Sequence, residues 1–269
     1  MPLSRRQFLK STGLAAALAG LPDALSAAAA FQADSSARLA PDETLHFLNR
    51  ISYGARPDDV ERAAAIGIPP YLEEQLAPET LDDSAAEAAL APLVILQMDR
   101  RTAYRLHERE WRTQVALIKG MIARAVHSKR QLYERMTEFW LDHFHIPADE
   151  LGADLVVYHR DVVRRHALGN FRELLFETAQ HPAMLYYLDN YLNVAEHPNE
   201  NYARELLELH TLGVDGGYTE MDVKEVARAF TGWTVDNATD SGFYFDPSTH
   251  DADEKHILGH DLPAGRGIE

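Results

Sequence analysis

The chain has 269 residues, 46% of them hydrophobic, enough to bury a sizeable core in one large domain or two small ones. Twenty-six basic residues against 42 acidic ones leave a net charge of -16, which argues against a phosphate-binding surface for nucleic acid. There is no cysteine, so disulfides, iron–sulfur clusters, thiolate zinc sites, thiol nucleophiles and c-type haem attachment are excluded.

In chain order, the N-terminus comes first. Ser4-Arg5-Arg6-Gln7-Phe8-Leu9-Lys10 resembles the bacterial twin-arginine export signal at each specified position. An alanine-rich, weakly apolar stretch runs from Gly13 to Leu21, and the small residues from Ser26 to Ala30 offer a cleavage site. The apolar run is too short, and too interrupted by Pro22 and Asp23, to span a bilayer. The expected organisation is a signal peptide over residues 1–30, a linker over 31–40 and a helical domain over 41–269. The twin-arginine translocon would deliver this chain, already folded, to the periplasm or the extracellular space. Folded export often accompanies a cofactor inserted in the cytoplasm, without saying which one.

Downstream the signals are nearly all helical. Pro41 before Asp42-Glu43 starts a helix that Gly54 closes, and Pro57 opens a second that ends before Gly67. Pro69-Pro70 begins a third, which stops before Pro78. Residues 79–92 read as loop with a helical turn. From about Gln97 to His145 the pattern stays helical, too long for one globular helix, so a break is expected near His127-Ser128-Lys129. Further helices are expected over 153–167, Phe171–Gln180, Pro182–Leu188 and Asn199–Gly213. Thr219 with Asp222 is a capping-box signature for one reaching Phe230. Near the C-terminus, Phe243-Tyr244-Phe245 and His256-Ile257-Leu258 could pair as a short hairpin, with residues after about Thr234 poorly packed. The fold class is therefore mostly α, an orthogonal or bundle-like arrangement of helices with a short β-hairpin near the C-terminus.

Familiar catalytic motifs fail. There is no G-x-S-x-G elbow, Walker loop or G-x-G-x-x-G, and Trp111 stands where a zincin begun at His107-Glu108 needs its second histidine. The stretch NENYARELLELHTLG, from Asn199 to Gly213, holds more. Its charges at Glu200, Arg204 and Glu208 make opposite-sign pairs four residues apart, as an ordinary solvated face does. His210 instead falls within the apolar arc of Tyr202, Leu206 and Leu209. His143, and also His159 with His166, fall among apolar residues in the same way. His159 and His166 are about 10 Å apart along one helix and cannot share a metal. A shared centre would draw one histidine per helix, such as His143, His166 and His210, with a carboxylate such as Glu205 completing a divalent metal site. The other reading of each histidine is a core residue bonded to a carbonyl or carboxylate.

Several motifs together resemble the bacterial domain-of-unknown-function 1800 family. They are His46-Phe47-Leu48-Asn49-Arg50 with Tyr53-Gly54, Phe139–Phe144, His166–Phe171, His181-Pro182-Ala183-Met184, Pro198–Gly213, Tyr218-Thr219 and Thr231-Gly232-Trp233. Asp142 stands where that pattern usually has asparagine, and family members continue beyond the final hairpin, so the chain looks truncated relative to them. The resemblance implies helical, exported proteins, often encoded beside a second exported protein similar to the alkaline phosphatase superfamily, and implies no activity. It points to a polar cluster of His143, His166, Asn170, Asn199, Glu200, Asn201, Arg204, Glu205, Glu208, His210 and Trp233, expected to be buried between helices. Two functional expectations follow: an enzyme or metal-binding protein using the histidines with Glu205 or Glu208, or a non-enzymatic partner or chaperone of the co-encoded exported protein.

Overall fold

The computed structural model describes residues 43–236 and 242–268, so the expected signal peptide and linker lie outside the described residues. The chain divides into two units, 1–46 and 47–269. Of the first, the described part is the opening turn of a helix; the account below concerns the second. The described residues are mostly helical, with short antiparallel strand pairs towards the C-terminus.

Prolines and glycines mark the first helices as the sequence indicates. Helix α1 (Glu43–Ile51) is followed by α2 (Pro57–Ile66) and α3 (Ile68–Leu76), both with proline in the first turn. Leu48, Ala63 and Tyr71 bury together as their small shared core. The Ala- and Asp-rich stretch expected as loop with a helical turn carries a two-turn helix, α4 (Ser84–Leu90). The long helical region breaks twice rather than once. Between α6 (Arg109–His127) and α7 (Gln131–His143) the break falls as expected, and buried Asp83 holds it by accepting from Ser128 Oγ at 3.1 Å and Lys129 N at 2.7 Å. A second break, at 105–108, separates α5 (Arg100–Tyr104) from α6, with Glu108 in the left-handed region.

Helix α8 begins at Ala148, a turn earlier than expected, because Pro147 favours a helix start rather than only a stop. It runs from Ala148 to Val157, widens into a π-helical stretch over Tyr158–Val163, and closes with Arg164–His166. Leu155, Val156, Tyr158, Val162 and Val163 are all buried on it. Where it crosses α6, a Cβ on Gly152 would fall 2.0 Å from Thr113 Oγ1, so only glycine permits this approach. Helices α9 (Phe171–Gln180) and α10 (Pro182–Tyr187) complete the main core, which also takes in Phe144, Leu174, Met184, Leu185, Tyr202 and Trp233.

Helix α11 (Glu200–Glu205) continues as a second π-helical stretch over Leu206–Thr211 and packs on α12 (Glu220–Ala229) through Ala203, Leu207, Val223, Val226 and Ala227. The capping box of Thr219 and Asp222 is formed.

The strand pairing differs from expectation. β1 (Trp233–Val235) pairs with β2 (Phe243–Phe245), and β3 (Lys255–Ile257) pairs with β4 (His260–Leu262). Leu258 and Gly259 both have positive φ, the signature of a two-residue type I′ turn, so the chain at 256–258 folds onto its own continuation. Nor is the segment after Thr234 loosely packed. Val235, Phe243 and Phe245 lie against the main core, Asp251 pairs with Arg228, and Lys255 is buried.

Two ion pairs tie α8 to its neighbours. Arg100 Nε donates to Asp154 Oδ1 at 2.5 Å, and Tyr104 donates to the other oxygen of the same carboxylate. Arg164 binds Glu134 of α7 through two bonds of 2.6 and 2.7 Å, with Glu134 only 5% exposed. Glu134→Gln is expected to destabilise the fold by about 3–5 kcal/mol in urea unfolding, because it leaves an uncompensated guanidinium in a low-dielectric interior. A loss below about 1 kcal/mol would show that water already screens the pair.

Candidate functional site

The C-terminal end of α7 carries Trp140, His143 and Phe144 on the face turned towards α9 and the second π-helical stretch. Phe144 is fully buried, with ring centroids 6.2 Å from Phe171 and 5.1 Å from His210. His143 and His210 do come together, their ring centroids 6.4 Å apart. They meet through the backbone, however. His143 Nε2 lies 3.0 Å from the carbonyl oxygen of His210, and since a carbonyl can only accept, the imidazole carries its proton on Nε2.

The π-helical geometry makes this contact. In it, Leu212 N–H reaches back five residues to the Leu207 carbonyl at 3.0 Å, and Thr211 Oγ1 takes the Leu206 carbonyl at 2.6 Å. His143 supplies a donor to the widened turn at residue 210. The His210 ring itself is buried, and its Nδ1 has no hydrogen-bond partner among the described residues. Tyr202 Oη and Trp233 Nε1 are likewise buried without hydrogen-bond partners among the described residues, and their rings meet Phe230 at 5.1 and 4.7 Å.

The remaining candidate residues do not join this pair in one buried cluster. His166 is buried, with Nε2 3.1 Å from Glu177 Oε2 but without hydrogen-bond alignment, and Nδ1 3.8 Å from Glu173 Oε2. Asn170 and Asn199 cap α9 and α11 through their side-chain oxygens. Asn201 is exposed, and Glu205 and Glu208 are half-buried, with Tyr218 Oη 3.5 Å from Glu208. Arg204 pairs with Glu200 at 3.2 Å and forks onto exposed Glu220 at 2.7 and 2.8 Å. The expectation of a buried charged face is thus corrected. These side chains lie on the outer side of α11, where Arg204 pairs with Glu200 and with Glu220 of α12, since the inner side is filled by Tyr202, Ala203 and Leu207. Among the described residues no three His, Asp or Glu side chains converge in a group able to hold a metal ion.

Sequence reasoning passed over two features. Buried Asn190 and Asn193, in and after a single 3-10 turn, donate to the carbonyls of Trp233 and Ala227 at 3.2 and 2.9 Å and so lock β1 and α12 to the loop before α11. Arg124 and His159 meet at a cleft beside α6. Arg124 stands seven residues after buried Leu117 on the same helix face, so a charge on the apolar arc was the available signal.

Three histidines are held well below the usual imidazole range. Burial dominates each time, pushing His210 down to about 4, and His159 and His181 to about 3. His143 adds to the effect at His210, Arg124 at His159 and Arg100 at His181.

The comparisons with known proteins agree with this helical, export-tagged chain. A family model described as "Protein of unknown function (DUF1800)" matches residues 46–269, and a model of the twin-arginine translocation pathway signal sequence matches residues 2–22. No curated protein and no solved structure matches the chain.

Replacing each of the paired histidines by leucine separates their roles. His143→Leu strands the carbonyl at residue 210 and is expected to cost about 1–3 kcal/mol. His210→Leu removes a buried nitrogen that lacks a partner and should cost under about 1 kcal/mol; the reverse order in denaturant unfolding would mean that His210 holds the pair. Stability should also depend on pH. The buried histidines stay neutral when folded while unfolded imidazoles take up protons near pH 6.5, so their contribution is complete above about 6.5 and is lost as pH falls towards 4 for His210 and towards 3 for His159 and His181. Each such proton steepens the slope by up to about 1.4 kcal/mol per pH unit. Urea unfolding at pH 7, 6 and 5 reads it, and a flat profile would contradict the burial of these rings.

Proposed function

The chain belongs to the DUF1800 family and is exported by the twin-arginine pathway to the periplasm or extracellular space, and from that premise we propose that it acts there as a non-enzymatic docking partner of a second exported protein. One observation carries this reading. Along α6, Trp111, Ile118, Ile122 and Val126 are each more than half exposed, and Val115 lies between them, half-buried. At 100° per residue they fall within one narrow stripe. Beside it, Pro92, Leu93, Val94 and Ile95 wall a groove of about 260 Å³ against Trp111 and Val115. A continuous apolar stripe of this kind marks an interaction surface rather than scattered exposed residues.

Charge indicates the kind of partner. Residues 100–130 hold nine basic side chains and two acidic ones in a chain of net charge -16, and Arg112 and Lys119 flank the stripe. The complementary surface has an apolar centre and an acidic rim, and opposite charge favours fast, oriented encounter. No helix among the described residues is long and apolar enough to cross a membrane. The partner proposed is a second exported protein encoded beside this chain and similar to the alkaline phosphatase superfamily, the neighbour that the family resemblance implies.

An enzyme or divalent-metal protein built on His143, His166 and His210 with Glu205 or Glu208 draws less support. His166 faces Glu173 and Glu177, and His143 Nε2 is already committed to a carbonyl. Stoichiometric metal in protein purified without chelator would favour that reading instead.

Trp111→Asp and Ile122→Asp test the docking reading, since both side chains are exposed and the fold should tolerate the change. Mixed with the co-encoded protein, each variant is expected to weaken the complex by about 30-fold or more in sedimentation or calorimetry, the loss typical of a central interface anchor. Unchanged affinity in both variants, or no complex with the parent protein, would remove the proposal.

A further inference from the structure

A pocket where the ends of α5 and α10 meet the start of α8 is used neither by the docking stripe nor by the paired histidines. It measures about 660 Å³, within the range of small-ligand sites, and shares no lining residue with the groove beside α6. Half of its eight lining residues are tyrosine, in a chain with 11 tyrosines among 269 residues. Tyr104 comes from the end of α5, Tyr186 and Tyr187 from the end of α10, and Tyr191 from the 3-10 turn that follows. Pro147 and Leu151, at the start of α8, add apolar wall.

The polar groups of this pocket are fixed by contacts that leave their outer atoms free. Arg109 Nε donates to Glu110, whose other oxygen accepts from Gly152 N at 3.0 Å. The guanidinium carbon lies 4.7 Å from the centre of the Tyr104 ring, and its two Nη groups have no hydrogen-bond partner among the described residues. Asp189 stands in the left-handed region at φ 56°. Its backbone is tied on both sides, since its N–H donates to the Tyr186 carbonyl at 3.3 Å and its carbonyl accepts from Leu192 N at 3.1 Å. Its carboxylate has no partner among the described residues, and neither do the hydroxyls of Tyr187 and Tyr191. Tyr187 is 39% exposed, and Tyr191 stands edge-to-face with Tyr186 at 4.9 Å, so aromatic surface and free hydroxyls meet at one opening.

A solvated polar side chain on its own needs no partner. Four amphipathic rings around a fixed donor and a fixed acceptor are a different matter. They select a ligand that is apolar on its flat side and polar round its edge. Arg109 and Asp189 bring one charge of each sign to the lining, which favours neither an anion nor a cation. We propose that this pocket binds a neutral carbohydrate, a short β-linked chain of pyranose rings whose substituents are all equatorial. Such a ring shows only C–H bonds on its two faces, and these pack against tyrosine. Its edge hydroxyls donate to the Asp189 carboxylate and accept from the Nη groups of Arg109, as charge-assisted hydrogen bonds.

Calorimetric titration of the full chain with cellotetraose and chitotetraose tests the proposal. The comparisons are the C6-oxidised, anionic form of the first, the deacetylated, cationic form of the second, and choline. The expected result is saturable 1:1 binding of at least one neutral tetrasaccharide, with each charged comparison at least tenfold weaker. Tyr187→Ala changes an exposed side chain, and Asp189→Gly suits the left-handed backbone, so both variants should melt close to the parent. Each should weaken sugar binding about tenfold or more, the loss of a stacking surface in one and of a charge-assisted hydrogen bond in the other. No saturable binding of either neutral sugar by the parent would overturn the proposal. So would a charged comparison that binds as tightly as the neutral sugars, or unchanged binding in both variants. A strongly lowered melting temperature in both variants would assign these side chains to the fold and overturn it too.

Discussion

The forked pair between Arg164 and Glu134 is the contact on which the rest of this structure turns. It joins α7 to α8 with two bonds in a site where Glu134 is almost fully buried, and Tyr133 reinforces it by donating to the Arg164 carbonyl at 2.6 Å while its ring lies under the guanidinium. A buried pair of this kind contributes little net stability over an apolar replacement, but losing one partner is severe. Its larger effect is on register. With α7 fixed against α8, Trp140, His143 and Phe144 project from the end of α7, and Trp140 Nε1 donates to the Ala167 carbonyl at 3.1 Å beyond the end of α8.

Two widened turns do related work in different places. Each inserts an extra residue into a helix, and each carries a histidine, His159 in α8 and His210 in α11. A π-helical turn loosens the regular pattern of carbonyl pairing, so nearby groups need other donors. At residue 210 the donor is His143. At α8 the widened turn lies beside a cleft, and the helix resumes when Arg164 N–H reaches back to the His159 carbonyl. One histidine is therefore absorbed into the packing of the fold, whereas the other keeps its ring at a cavity.

The distribution of charge is as informative as the polar network. An acidic chain with a basic, apolar helix has two kinds of surface, and the two attract different company. On the outer face of α11, Arg204 takes up the charge of Glu200 and reaches across to Glu220 of α12. The stripe on α6 has no such internal complement, and Trp111 at 66% exposure is an expensive side chain to leave in water.

By itself the sequence determined the export signal, the mostly helical class and most helix boundaries, because these depend on local chemistry. Proline starts, the Thr219–Asp222 box and the Asn170 and Asn199 caps act over three or four residues and are visible in a linear reading. Helical periodicity also placed His143, His166 and His210 on inward faces. Only the tertiary structure decided what those faces meet. A wheel drawn at 100° per residue does not contain a π-helical turn, so it could not show that His143 would meet a carbonyl of residue 210 rather than a ring nitrogen. Nor could it show that His166 would turn to Glu173 and Glu177. The strand pairing was missed for a similar reason: Leu258, a residue that rarely takes positive φ, does so in a tight turn that only its partner strand stabilises. The surroundings of Arg124 lay furthest from view, because the charges that act on it, Arg164, Glu134 and Asp83, stand ten to forty positions away and only the packing of the helices brings them near.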